Sequence, residues 1–234
     1  LTILLGAGLG RLLKMDRDTA LLTSIGSSIC GAAAVLGAEP VVKSKPYKAA
    51  VAVSTVVIFG TLSMFLYPAL YRAGMLNLTT EQMGLFTGAT LHEVAHVVGA
   101  GNAMGQAISD PAIIVKMIRV MMLAPVLVIL SIILARRDSA AGGNSEKRKI
   151  TIPWFAFLFL AVIGFNSLHL LPAELVDAIN TLDTFLLTMA MTALGAESSF
   201  EKFKKAGARP FLLAGLLYVW LFFGGYWLVK LISF

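Results

Sequence analysis

Charge is what this chain has least of. Only 14% of its 234 residues are Asp, Glu, Lys or Arg, against about 25% in a soluble domain. A fold of this length cannot cover a water-facing surface with so little charge, which excludes the soluble classes. Cysteine is nearly absent too. A lone Cys30 rules out an intrachain disulfide and a zinc–thiolate cluster, and it reads as a small buried side chain. No signal peptide is visible in the opening "LTILLGAGLGRLLK". That opening reads as the tail of a helix, so the chain is expected to be a fragment or a processed product.

What is present is apolar: 58% of residues are hydrophobic and the mean hydropathy is +0.83. Such a chain belongs in a bilayer. A spanning helix needs about 20 mostly apolar residues. Suitable stretches run over 1–13 in part, then 19–38, 47–74, 83–107, 110–136, 152–171, 175–196 and 210–233. The fold class predicted is all-α, a polytopic membrane helix bundle. Residues 1–134 hold membrane helices, among them 19–38 and 83–107, which carry Gly, Ser, Thr or ionisable residues in mid-segment. Residues 135–150, "ARRDSAAGGNSEKRKI", read as a polar cytoplasmic linker. Residues 151–234 hold three further membrane helices of the same transport domain.

The net charge of +6 is explained by orientation, because Lys and Arg collect in cytoplasmic loops; nucleic acid is not an expected partner. If every segment crosses, 13 basic residues lie inside and four outside: Lys43, Lys45, Lys48 and Lys230. If 19–38 and 83–107 instead re-enter as hairpins, the division becomes 15 against two, with Arg72 and Lys230 outside. The count leans towards re-entry.

The two polar segments echo each other. "TSIGSSICGAAAVLGA" (23–38) set above "LFTGATLHEVAHVVGA" (85–100) pairs Gly26 with Gly88, Ser28 with Thr90, and Gly37-Ala38 with Gly99-Ala100, at an offset of 62. Transporters are often built from such repeats, with sites on interrupted helices near mid-membrane. Chance recurrence of small residues is the alternative.

His92-Glu93-x-x-His96 has the spacing of a zinc protease helix, in which two histidines hold the metal and the glutamate polarises a water. Residues 91–98 are helix-compatible. A third ligand would be Asp183, in Leu182-Asp183-Thr184, or His169. The competing readings are polar groups paired within a bundle, and a proton or ion site on a transport path, for which His92, Glu93 and Asp183 are the candidates. Lys116 and Arg119 stand three apart, so they share one helical face inside the membrane. They either snorkel or face an anionic substrate. Ser27, Ser28 and Gly31 offer hydroxyls and a helix break whose N–H groups suit an oxyanion, or else close helix packing.

The strings "GSSICGAAAVLGAEPVVK", "TVVIFGTLSMFLYPALY", "GATLHEVAHVVGAG", "KMIRVMMLAPVLV", "PWFAFLFLAVIGFNSLHLLP" and "LDTFLLTMAMTALGAESSFEKFKKAGARP" resemble the YeiH family of bacterial inner-membrane proteins, which bear the label sulfate exporter. The likeness runs over nearly the whole chain. It implies a multi-pass inner-membrane transporter, distantly like cation/proton antiporters and bile-acid symporters. In those, two inverted repeats carry interrupted helices that cross the membrane. It also implies that this chain lacks N-terminal spans, and that His96, replaceable by Gln in relatives, is not an essential metal ligand. The function expected is export of a small anion, sulfate or a related sulfur oxyanion or sulfonate, by alternating access with proton or ion coupling. The anion would rest near Ser27, Ser28, Gly31, Lys116 and Arg119. No enzymatic activity and no cofactor are expected. The partners are the lipid bilayer and the anion, with a homo-oligomer left open. The alternative is an intramembrane zinc metalloprotease using His92, His96 and Asp183.

Overall fold

A computed structural model describes residues 1–140, 154–168, 170–197 and 207–232. The described residues are helical, with no strand among them. The helices are α1 (Thr2–Leu12), α2 (Arg17–Ser28), α3 (Ala32–Val42), α4 (Pro46–Arg72), α5 (Thr80–Thr90), α6 (Val94–Met104), α7 (Gln106–Met121), α8 (Leu123–Ala140), α9 (Trp154–Ser167), α10 (Ala173–Glu197) and α11 (Ala208–Ile232). Three stretches among them are long and apolar enough to cross a membrane: Pro46–Arg72, Gln106–Arg136 and Ala208–Ile232. Polar linker residues 135–140 extend α8, and 141–150 lie outside the described residues.

Several polar side chains are buried beside the apolar core, and many large apolar ones face outward. Ser27, Thr55, Thr87, Ser109 and Lys116 are fully buried, whereas Phe65, Ile114 and Leu231 are more than 60% exposed. Lipid solvates apolar side chains and leaves backbone and polar groups to find partners within the protein.

Both predicted interrupted segments break in the middle, at 29–31 and 91–93. The breaks obey one register: α2 and α5 end at Ser28 and Thr90, α3 and α6 begin at Ala32 and Val94, and they end at Val42 and Met104. Each pair differs by 62, the offset of the sequence echo. The legs have 11 or 12 residues, so at 1.5 Å per residue each is roughly 16–18 Å long, about half of a ~30 Å hydrocarbon core.

Each segment turns back at its break. In the first, Lys48 near the start of α4 holds both Asp16 and Asp18 at 2.7 Å, so α2 begins beside the place where α3 ends. The tip lies further along α4, where Val56 touches Gly26 and Gly31. In the second, Gly84 packs on Ile108 and Pro111, and Gly88 on Ala112 and Val115, so α5 runs parallel to α7. Gly101 packs on Ser109 while Lys116 reaches the His92 carbonyl, so α6 runs antiparallel to α7. Arg72 at the end of α4 donates to the Ala103 carbonyl at 2.6 Å. The first hairpin therefore enters from the end of the bundle where α4 starts, and the second from the end where α4 finishes.

This corrects the crossing topology implied by the family likeness and agrees with the charge count. Arg11, Lys14, Arg17, Lys43, Lys45, Lys48 and Arg209 share one end of the bundle, which the excess of basic residues marks as cytoplasmic. Arg72 and Lys230 lie at the other. At the cytoplasmic end, burial pushes the Asp16 carboxyl up. The bonds from Lys48 and Thr19 outweigh this and hold it below the ordinary value.

Small residues permit the closest helix contacts, as is common in membranes. A Cβ on Gly88 would collide with the Ala112 carbonyl, whereas one on Gly8 would meet nothing. The second hairpin is also clamped to α4: Tyr67 stacks on Phe86 at 4.8 Å, and its hydroxyl pairs with Thr90 at 2.9 Å.

Two outcomes are expected. In a Cys30→Ala background of the full-length protein, Arg11→Cys and Lys45→Cys react with an impermeant maleimide from the same face, and Met75→Cys from the opposite one; labelling of Arg11→Cys and Lys45→Cys from opposite faces contradicts the hairpins. Gly88→Ala lowers stability by about 1–3 kcal/mol through overpacking, read as a fall in melting temperature that Gly8→Ala does not share.

Candidate functional site

The turns at the two tips, Ile29–Gly31 and Leu91–Glu93, touch one another. Gly31 has φ +74, a left-handed conformation that suits glycine, and the Glu93 side chain fills the space where a Cβ would stand.

A helix leaves its last four carbonyls and its first four N–H groups unpaired. Two hairpins with touching tips bring two C-termini and two N-termini to one place, away from water. The C-termini of α2 and α5 are met by two cations on one face of α7. Lys116, fully buried, donates to the carbonyls of Ile29 and Leu91, each at 2.9 Å, and to that of His92. Arg119 donates to Ser28 at 3.0 Å, Leu91 at 2.9 Å and Gly88 at 3.2 Å. Each cation thus bridges both tips, and its charge faces the negative ends of two helix dipoles. An ammonium has three donors, and all three of Lys116's are taken. Lys116 therefore clamps the two tips together, with its ammonium held inside the bundle.

Arg119 keeps N–H groups beyond its three bonds and borders a pocket of about 270 Å³ with Ser28, Ile29, Met122, Val126 and residues 1–3. The Ser28 hydroxyl is turned to the Ser24 carbonyl. The hydroxyls of Thr23, Ser27 and Thr87 are buried without a partner. Of these only Ser27 was singled out from the sequence; Thr23 stands four residues before it, a spacing that would have pointed to one polar face.

At the N-termini the two hairpins differ. Glu93 Oε1 accepts the Ala32 N–H of α3 at 3.1 Å, while α6 has no side-chain cap. Glu93 Oε2 lies 3.8 Å from His96 Nδ1, and neither atom has a hydrogen-bond partner. His96 Nε2 is 3.4 Å from the Thr61 hydroxyl, and the ring rests on Gly60. His92 lies beside Tyr218, with ring centroids 6.5 Å apart.

The zinc-helix expectation fails at the backbone. His92 and Glu93 lie in the break before α6, and Glu93 is extended at φ −120°, ψ 157°. The histidines therefore do not share a helical face at i and i+4. Asp183, the expected third ligand and a candidate coupling carboxylate, is exposed on α10, and His169 lies outside the described residues. Among the described residues no three His, Cys, Asp or Glu side chains gather as metal ligands would.

The profile of a family described as "Conserved hypothetical protein 698" matches residues 1–214. A UPF0324 membrane protein of Bacteroides thetaiotaomicron is 68% identical over 99% of the chain and 69% of its own length. One from Bordetella bronchiseptica is 54% identical over 98% of the chain and 72% of its length. The UPF0324 inner membrane protein YeiH of Escherichia coli K12 is 53% identical over 96% of the chain and 64% of its length. The chain thus spans about two thirds of these relatives. No solved structure matches it. Long shared identity and a match over most of the sequence place this chain in the conserved hypothetical protein 698 family, together with the membrane protein YeiH.

Proposed function

We propose that this chain forms the substrate-handling core of an inner-membrane secondary transporter. It moves a small anion, sulfate or a related sulfur oxyanion or sulfonate, outward by alternating access. One observation carries the reading: two half-membrane hairpins enter from opposite ends of the bundle and meet at their tips, where four helix ends and two buried cations converge. A scaffold has no need to open two helices at mid-membrane, and unpaired polar groups at that depth are costly enough to mark function. Non-helical backbone within a membrane belongs where it lines a path or a cavity. The common offset of 62 between the hairpins supports reading residues 17–72 and 80–136 as inverted repeats, each a hairpin followed by a long helix.

Charge favours an anion. Lys116 and Arg119 outnumber Glu93 at the tips, and Arg119 with Ser28 lines a pocket of about 270 Å³. Export, rather than uptake, follows the family label alone. Glu93 and His96 supply the ionisable pair through which a proton gradient would act.

Two results are expected with the full-length protein in detergent after EDTA treatment. Sulfate, sulfite, thiosulfate or taurine raises the melting temperature, whereas zinc does not. Ser27→Ala weakens that rise without lowering the ligand-free melting temperature, since its buried hydroxyl has no bond to lose. A shift with zinc alone overturns the reading. Lys116→Met, in contrast, leaves the Ile29 and His92 carbonyls unpaired at about 1–3 kcal/mol each, so the variant loses its monodisperse fold whether or not anion is present.

A further inference from the structure

The two hairpins treat their second legs differently. Neither α3 nor α6 is capped by the side chain of its own N-cap residue, but the N-terminus of α3 holds a carboxylate that comes from the other hairpin. We infer that Glu93 is a tethered placeholder: its carboxylate occupies an oxyanion seat at the Ala32 N–H, and the transported anion takes that seat by displacing it. The inference rests on the anion reading above and names the atoms that carry it.

The seat is built for an anion. The helix behind it has 11 residues, enough to present a positive end. Gly31 leads into it with φ +74, and the absence of a side chain there leaves the space that Glu93 now fills. The carboxylate is held loosely for a buried ion. Oε1 makes one bond and Oε2 makes none, although Glu93 is only 5% exposed. A second unpartnered group lies close by: His96 Nδ1, on a residue 4% exposed, is 3.8 Å from Oε2. A buried carboxyl group with no role beyond structure normally has its polar atoms bonded. This one has a single N–H and a vacant acceptor opposite.

The other ionisable groups around Glu93 are Lys116 on α7 and Cys30 in the first tip, with His92 beside it in sequence. Lys116 is committed to three carbonyls. It cannot follow Glu93 if the carboxylate swings away, so an anion entering the seat meets a cation already fixed in place.

The test measures anion affinity from melting-temperature titrations of the full-length protein, with sulfate, sulfite and taurine as probes. Glu93→Gln keeps the size and an acceptor for the Ala32 N–H but removes the charge, and it binds the anion roughly tenfold more tightly than wild type because no like charge is displaced. Ala32→Pro removes the N–H at the first helical position, where proline is tolerated, so the protein folds and the anion shift is lost. If wild type shifts with an anion while Glu93→Gln weakens that shift, or folded Ala32→Pro retains it, the placeholder role is wrong and the anion reading stands. If neither wild type nor Glu93→Gln responds to any of the probes, both fall together.

Discussion

Six hydrogen bonds from two side chains hold the centre of this protein together. Lys116 and Arg119 donate to five backbone carbonyls at the ends of α2 and α5, and every other feature of the tips is arranged around them. A charge at mid-bilayer costs roughly 3 kcal/mol even by the lower scales, and two half-helices that stop there leave carbonyls unpaired in lipid. Either feature alone is unfavourable. Together each removes the penalty of the other, because the negative ends of the helices stabilise the cations. The cations in turn satisfy the carbonyls. Neither hairpin reaches this arrangement without the other, since each cation bonds to both tips.

Hairpin and long helix are therefore one packed unit in the second half. Gly84, Gly88 and Gly101 let both legs lie against α7, so the helix that carries the cations is built into the second hairpin. The first hairpin meets the cations only at its tip and rests instead on α1, α4, α8 and α11.

Much of this was legible in the sequence. The scarcity of charge gave the membrane class, and the polar residues within 19–38 and 83–107 marked the two segments that are interrupted. The basic-residue count leaned towards re-entry, because half-length legs return their flanking loops to the face they left, and loop charge records that directly. The likeness to crossing transporters pointed the other way, since family patterns do not encode the direction of a turn. His92 was misplaced because residues 91–98 suit a helix locally. There Lys116, 24 residues further on, takes the Leu91 and His92 carbonyls and holds the backbone open. Such a long-range override leaves no periodic trace. The destination of the Lys116 and Arg119 side chains was equally hidden: three-residue spacing shows that they share a face, not that the face meets backbone carbonyls.

The contact between Gly31 and Glu93 has a consequence for ancestry. At an offset of 62 these two residues occupy the same position in the two segments, and in space the Glu93 side chain stands where a side chain on residue 31 would go. A chain with glutamate at both positions would force two carboxylates into one volume, and a chain with glycine at both would have none at the tips. If the segments arose by duplication, they cannot have stayed identical at this position and reached the present form. One copy had to lose its side chain, or never acquire it, for the other to carry a charge there.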